Sequence, residues 1–516
     1  MSIHKIKTFT NLGLQGYEVS IEVDSNKSLP TIEIIGLPDA AIKEAKERIR
    51  ATFRHTGIQL PPRKIILNLS PSDVRKEWTR FDLPMAVALL LLCHEGDIQI
   101  TDEISNGLFF GELGLDGMVK RIDGLLPSVL DAVRQWYHTF FVPADNSYEL
   151  EYIANITVYP VAHFSEIVDH IVRQKSILTL TVGKSLDELY TLQWESEIDF
   201  AHIKGHIVAK RAMAIAAAWL HNLLLIGSPW SGKTMLAKAL QSIIPPLGFE
   251  EVLEVSQIYS LVGKLSKEQP LIIRRPFRQV HHTASRISII GGGRTLTPGE
   301  VSLAHKGILF FDELPEFPRE TLEVLRQPIE DKIINISRVS GTVQYPANFM
   351  FVATMNPSPC GYYNDPEHPC TCSLNEIKRY QGKVSWPLLD RIDMILEIPR
   401  ENIDKILDHT QGESSASIRE KVMKARYRQQ ERFAGTGIVA NAHMQSKHID
   451  QYIHLDEASK DFLTKAVKSL GLSPRVVHRT LKLARTIADM DDSDAITMNH
   501  IAESLQYRNK TMFVEG

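Results

Sequence analysis

Three clusters of residues in the 516-residue sequence have types and spacing suited to phosphate chemistry. The first, Gly227-Ser228-Pro229-Trp230-Ser231-Gly232-Lys233-Thr234, fits G-x-x-x-x-G-K-[ST] and lies between the apolar run Leu223-Leu224-Leu225-Ile226 and a helical stretch. In that setting backbone N–H groups wrap around phosphates, Lys233 sets a positive charge on the β- and γ-phosphates, and Thr234 offers a hydroxyl to Mg2+. The ligand expected is ATP with Mg2+. The second cluster is Gly307-Ile308-Leu309-Phe310-Phe311-Asp312-Glu313, a fully apolar strand ending in two carboxylates. Asp312 would hold the metal through water, and Glu313 would polarise the water that attacks the γ-phosphate. The third is a strand over Phe349 to Thr354 that delivers Asn356, a neutral group suited to orienting that water; taken alone, Asn356 reads as a turn residue.

Positioning these groups needs parallel strands with ligands at their C-terminal edge. Residues 1–165 alternate β-branched runs such as Ile65-Ile66-Leu67-Asn68-Leu69 with helical stretches such as Ala40 to Thr56, the pattern of an α+β domain. Periodicity becomes irregular over 166–195, where Lys175, Lys184, Asp187 and Glu188 suggest a linker. An Ala-rich helix, Ala209 to Trp219, then opens an α/β doubly wound core over 196–400, which carries all three clusters. Residues 401–516 read as helical, with Asp456 as an N-cap and Ser473-Pro474 opening a further helix.

Composition removes several classes. A chain with 43% hydrophobic and 23% charged residues is an ordinary globular one, and 58 Lys+Arg against 62 Asp+Glu leave a net charge of −4. Any nucleic-acid surface must therefore be a local patch. The apolar run Met85 to Cys93 is far shorter than the ~20 residues a membrane span needs, and Met1-Ser2-Ile3-His4-Lys5 opens no signal peptide. A cytoplasmic protein with no membrane partner is expected. Of four cysteines, Cys360, Cys370 and Cys372 cluster, which suits a reducing compartment and a metal more than disulfides.

Three further runs are more particular than a generic phosphate-loop protein requires: Phe310-Phe311-Asp312-Glu313-Leu314-Pro315-Glu316-Phe317, Pro276-Phe277-Arg278 with His281-His282-Thr283, and Pro387-Leu388-Leu389-Asp390-Arg391-Ile392-Asp393. With them the chain resembles the ComM/YifB family of magnesium-chelatase-like AAA+ ATPases, from Gly16-Tyr17 to the C-terminal helices. The resemblance implies a P-loop AAA+ core with a helical lid, assembled as a homo-oligomeric ring, a hexamer. It implies a DNA helicase acting in branch migration on single-stranded or branched DNA. By the same resemblance Arg391 looks like an arginine finger for a neighbouring subunit, and Arg475 like the sensor arginine of the lid, where a guanidinium neutralises transition-state charge. A surface salt bridge is the alternative for each.

The N-terminal region is similar to the Lon-protease (ribosomal S5 domain 2-like) α+β fold, through Gly111-Glu112-Leu113-Gly114-Leu115-Asp116-Gly117 and Asp123-Gly124-Leu125. Proteolysis of that type needs a serine and a lysine, yet the matching stretches read Arg80-Phe81-Asp82-Leu83-Pro84 and Leu125-Leu126-Pro127, so a peptidase is rejected.

Two departures stand out. Trp78, Trp219, Trp230 and Trp386, with Trp136, occupy positions where the family has glycine. An indole at 230 should strain or block a loop whose backbone must approach phosphate closely. Either the ATPase is degenerate, or UGA codons meaning glycine have been rendered as tryptophan; the retained Lys233, Thr234, Asp312, Glu313, Asn356 and Arg391 favour the second. The cysteines match a family C-x-C…C-x-C pattern in which Ser358 replaces the first thiol. Cys360, Cys370 and Cys372 with His368 would complete a tetrahedral Zn2+ site; the alternative is a loop with buried thiols.

Basic residues concentrate twice. Lys264, Lys267, Arg274, Arg275, Arg278, Arg286 and Arg294 are opposed by Glu268 alone, and Arg475, His478, Arg479, Lys482 and Arg485 share one helical face. Either stretch could contact a phosphate backbone, neighbouring subunits or nucleotide. Three functions follow as alternatives: an ATP-driven DNA motor, a chelatase-like protein remodeller without a DNA role, and a non-hydrolysing scaffold should Trp230 be real.

Overall fold

Alternation along Lys64–Ser70 sends Ile65, Leu67 and Leu69 inward, the period of a strand with one buried face. The computed structural model describes residues 4–36, 40–71, 79–96, 98, 100–192, 198–293, 296–338, 341–401, 412–438, 440–508 and 513. The first sheet contains β1 (His4–Leu12), β2 (Gln15–Asn26), β3 (Thr31–Ile35), β4 (Lys64–Ser70), β5 (Leu108–Phe109), β6 (Thr139–Pro143) and β7 (Thr157–Val161), in the order β3-β4-β2-β1-β5-β6-β7. The β1–β2 and β2–β4 pairs are antiparallel and the remainder parallel. Helix α1 (Ala40–His55) buries Ile42, Ala45, Ile49 and Phe53, a helical spacing that lays one stripe on the core. The apolar run at Met85 falls within α2 (Asp82–Cys93), buried from Asp82 to Leu91 inside the protein. Among the described residues no helix is long and apolar enough to cross a membrane.

The second sheet is wholly parallel. Its strands are β8 (Leu223–Ile226), β9 (Phe277–Val280), β10 (Ile308–Phe311), β13 (Met350–Met355) and β14 (Met394–Glu397), in the order β9-β10-β13-β8-β14. A separate antiparallel hairpin, β11 (Ile333–Arg338) with β12 (Gly341–Pro346), lies between β10 and β13 in sequence. Every residue of β8, β10 and β13 is buried, as unbroken apolar composition requires of strands covered on both faces. The expected strand at 349–354 forms one residue later, and the expected helix at 209–219 begins earlier, as α5 (Ile207–Trp219). The mixed α/β class with a parallel sheet is as expected.

The two sheets are joined through one apolar cluster. Leu125, Leu126 and Val129 of α3 (Leu125–Arg134) pack with Val252, Val255 and Ile258 of α7 (Phe249–Leu261). Ser260 ties the contact: its carbonyl accepts from Gly124 N at 2.9 Å, its hydroxyl accepts from Leu126 N at 3.3 Å, and the hydroxyl donates to buried Glu149 at 2.6 Å. Burial raises the Glu149 carboxyl above its usual range. The 166–195 segment also contributes, with Leu186 and Leu189 buried in the same cluster.

The C-terminal part is helical. Ser414 caps α9 (Ser415–Arg432), and Asp456 caps α10 (Glu457–Leu470) by accepting from Ser459 N at 2.8 Å. Ser473 caps α11 (Pro474–Met490), with Pro474 in its first turn, as the sequence predicts. Helix α12 (Met498–Gln506) packs on α11 through Ile501.

Candidate active site

Parallel strands β8, β10 and β13 end at one edge, and each contributes to the same constellation. Gly227 follows β8, and a Cβ there would meet the Ile398 carbonyl at 2.3 Å, so this position accepts only glycine. The loop closes at Gly232, φ +83°, and the chain enters α6 (Lys233–Ala239). Lys233 Nζ donates to the Gly227 and Ser228 carbonyls at 2.8 Å each and to Asn356 Oδ1 at 3.2 Å. Burial lowers the Lys233 pKa to about 8, although Asp312 and Glu313 pull it upward. A partly neutral lysine becomes fully charged when a polyphosphate enters its cradle.

Thr234 Oγ1 donates to Asp312 Oδ2 at 3.1 Å, and the Thr354 hydroxyl donates to the other Asp312 oxygen. A hydroxyl and an anchored carboxylate side by side form an oxygen donor set that suits Mg2+. Glu313 adopts φ +54°, with its N–H donating to Thr354 Oγ1 at 3.1 Å, and its side chain is exposed at the edge. Lys233, Thr234, Asp312, Glu313 and Asn356 are therefore brought together. Ser231 is buried, and its hydroxyl has no partner among the described residues. Pro229 is braced twice, since Arg400 Nη2 donates to its carbonyl at 3.1 Å and a Cβ on Gly361 would strike its ring at 2.5 Å.

Trp230 holds φ +67° with 94% of its surface exposed, and Trp136 holds φ +69° at 85% exposure. Both conformations favour glycine and oppose a bulky side chain. Trp219 is different: it is 2% exposed within α5, and its indole N–H has no partner among the described residues. Trp386 opens a short helical turn and is half exposed. Trp78 lies outside the described residues.

Arg391 and Arg475 are not at this edge. Arg391 precedes β14, whose residues Met394–Glu397 run parallel and in register with Leu223–Ile226, so it sits at the opposite end of the strand that carries the phosphate loop. Both guanidiniums bind one carboxylate, Glu330 of α8 (Arg326–Asp331). Sequence reading missed Glu330 because it carries no motif.

Three expectations need correction. His368 does not join the thiols: it is half exposed and faces Asp365 at 3.5 Å and Arg400 at 3.3 Å. The group nearest a fourth corner is Ser358, whose hydroxyl lies 3.4 Å from Cys360 Sγ and 3.8 Å from Cys370 Sγ. Cys360, Cys370 and Cys372 place their sulfurs within 4.8 Å of one another, close enough to share one ion. Burial pushes the Cys360 thiol up, but hydrogen bonds from Ser358 and from the Tyr362 and Thr371 backbone outweigh it and hold the thiol at about 6. Second, the basic face of α11 is not a free surface. Arg479 pairs with Asp393 at 3.0 Å, Arg485 with Asp489 at 2.9 Å, Lys482 donates to the Ala442 carbonyl, and Arg475 holds Glu330. Third, in the 264–294 stretch Arg275 is buried on Glu251 and Arg278 is paired with Glu300. Lys264, Lys267 and Arg286 remain exposed, Arg274 is half-buried, and Arg294 lies outside the described residues.

The two stretches compared with a serine–lysine pair do meet. Arg80 Nη1 donates to Ser128 Oγ at 3.1 Å and Nη2 to the Asp123 carbonyl at 2.5 Å, so a buried guanidinium bridges them. Sequence reading also missed Ile207 and Val208, which are 81% and 70% exposed. They follow His206, whose Nε2 lies 3.6 Å from where a Gly232 Cβ would stand, so they place bare apolar surface beside the phosphate loop.

A phosphate loop and an anchored carboxylate on adjacent parallel strands define a P-loop nucleotidase, and the chain belongs to the magnesium-chelatase-like family of AAA+ ATPases. Three family profiles match it: subunit ChlI of Mg-chelatase over residues 21–146, magnesium chelatase subunit ChlI over 199–406, and the ChlI C-terminal region over 412–508. Uncharacterized protein YifB of Escherichia coli is 38% identical over 98% of this chain and 97% of its own length. Competence protein ComM of Haemophilus influenzae is 37% identical over 98% of both chains. The magnesium-chelatase 67 kDa subunit of Chlorobaculum parvum is 25% identical over 39% of this chain and 26% of its own.

Proposed function

We propose that this chain is an ATP-hydrolysing motor that works as a hexameric ring of identical copies, with a Lon-protease-like N-terminal domain and a C-terminal helical lid, and acts on single-stranded or branched DNA in the cytoplasm. One observation carries the hydrolytic part: Lys233, Thr234, Asp312, Glu313 and Asn356 converge at one sheet edge through direct contacts or shared partners. In this reading the loop N–H groups and Lys233 bind the phosphates, Ile207 and Val208 cover the base, and Glu313 takes a proton from the attacking water that Asn356 orients. Thr234 and Asp312 would hold Mg2+, which when bound draws charge from the phosphoryl group. Arg391, at the far end of β14, completes a neighbour's site rather than its own.

The DNA assignment rests on the 37% identity to a competence protein and on the exposed Lys264, Lys267 and Arg286. Phosphate contacts carry no base information, so binding is independent of sequence. Zn2+ on Cys360, Cys370 and Cys372 would brace the loop behind Pro229; Gly361, which follows Cys360, is the residue packed on that ring.

The test is ATPase activity of the natively encoded protein with and without single-stranded DNA, with Lys233→Ala and Glu313→Gln as controls. Stimulation abolished by both changes supports the motor. Hydrolysis indifferent to DNA favours a protein client, the second reading. Absence of hydrolysis in protein with Trp230 verified would leave a scaffold.

A further inference from the structure

Two guanidiniums sharing one carboxylate form an unbalanced cluster. Arg391 Nη2 and Arg475 Nη2 bind opposite oxygens of Glu330. Arg391 is fixed further, with Nε donating to the Arg326 carbonyl at 3.1 Å and Nη1 to the Pro387 carbonyl at 2.7 Å. The nearby Asp390 faces Arg508, and Asp393 is taken by Arg479 at 3.0 Å and by Asn222 N at 3.0 Å. Arg479 lies one helical turn after Arg475 on α11, so its pairing with Asp393 sets the turn that presents Arg475 to Glu330. The carboxylate of Glu330 and the Arg475 side chain are nearly half exposed, at 42% and 45%. The pair thus carries surplus positive charge toward solvent, at the end of β14 that lies a strand's length, on the order of 13 Å, from the edge bearing Lys233.

Neither arginine can touch this chain's own phosphates from there. We propose that Glu330 is a positioning residue that holds Arg391 and Arg475 side by side as one cationic unit, and that Arg475 serves, with Arg391, the nucleotide phosphates of a neighbouring copy. This rests on the ring-forming ATPase reading. An exposed ion pair is weak, so phosphate oxygens entering from the neighbour can take both guanidiniums while Glu330 keeps their spacing. Two planar forks at fixed separation match the oxygens of a transferring phosphoryl group better than either alone.

Mixed-subunit hydrolysis tests this in full-length chains carrying residue 230 as the native cell makes it. Lys233→Ala, Arg391→Ala and Arg475→Ala are each expected to be inactive alone. An equal mixture of Lys233→Ala with Arg475→Ala is expected to regain hydrolysis, since about a quarter of interfaces in a random ring pair an intact loop with an intact arginine donor. Adding Glu330→Gln to the Lys233→Ala chain should lower that regained kcat by about tenfold to a hundredfold while KM stays unchanged. Glu330→Asp should recover part of it. If Lys233→Ala with Arg391→Ala recovers but Lys233→Ala with Arg475→Ala does not, Arg475 serves its own chain and the inference is wrong, while the ring reading stands. Recovery in neither mixture overturns both. Recovery that Glu330→Gln leaves untouched removes the positioning role.

Discussion

Replacing Trp230 by glycine should stabilise the protein, against the usual rule that deleting a large side chain costs stability. The φ of +67° puts the residue in the left-handed region, where an L side chain costs about 1–2 kcal/mol. With 94% of the indole exposed, truncation gives up almost no burial. Glycine's greater freedom in the unfolded chain takes back about 0.4–1 kcal/mol. The net gain is about 0.5–1 kcal/mol, which for a domain of this size raises its melting transition by about 1–4 °C. Trp136→Gly, at φ +69° and 85% exposure, should behave alike and additively. Trp219→Gly should do the reverse: the side chain is 2% exposed, and a cavity costing about 3–5 kcal/mol outweighs relief of the unpartnered indole N–H. Differential scanning calorimetry of the three variants measures the signs. A lowered transition in Trp230→Gly and Trp136→Gly would refute the backbone argument. Peptide mass spectrometry of the native protein addresses the coding question directly: glycine is expected at 230 and 136, and tryptophan there would end that explanation.

Other outcomes follow from the same structure. Lys233 titrates near 8 when free, and phosphate raises it again, so nucleotide binding should take up protons increasingly above pH 8. Calorimetry in buffers of different ionisation enthalpy reads that uptake, and Lys233→Arg should abolish it. Zinc analysis of the full chain should give one ion per copy, and Co2+ substitution should yield a thiolate charge-transfer band that Cys370→Ser weakens; Ser358→Cys should tighten binding. Asp82 is buried and its pKa is raised to about 6 by that burial, against the opposing pull of Arg48 at 2.6 Å. A folded-state pKa above the unfolded value means that stability falls as pH rises through it. Arg48→Met should therefore cost about 3 kcal/mol at pH 7.5 and much less at pH 5.5, read as the shift between melting transitions.

The phosphate loop, the acidic strand end and Asn356 were legible because each is a short local pattern whose chemistry is written within a few residues. Asp456 and Ser473-Pro474 were legible as helix starts for the same reason. Glu330 was not, since its role depends on two arginines far along the chain that converge only after α11 docks. The basic spacing on α11 misled because charge sequence shows the cations and not the carboxylates of Asp393 and Asp489 that fold onto them. His368 misled similarly: it lies near the cysteines in sequence, but Asp365 and Arg400 hold its ring outward, and Ser358 is folded inward. Register and type are local properties; partners are not.

The seam at Ser260 has a mechanical consequence. Leu126, Gly124 and Glu149 grip α7 by both its backbone and its side chain, and an apolar cluster runs beneath them without a break. The N-terminal layer is therefore a lever arm welded to the large half of the engine. A few degrees of swing at α7 become ångströms of travel at β3 and β7, the far rims of the first sheet, so work done at the nucleotide edge is delivered as displacement at a distance.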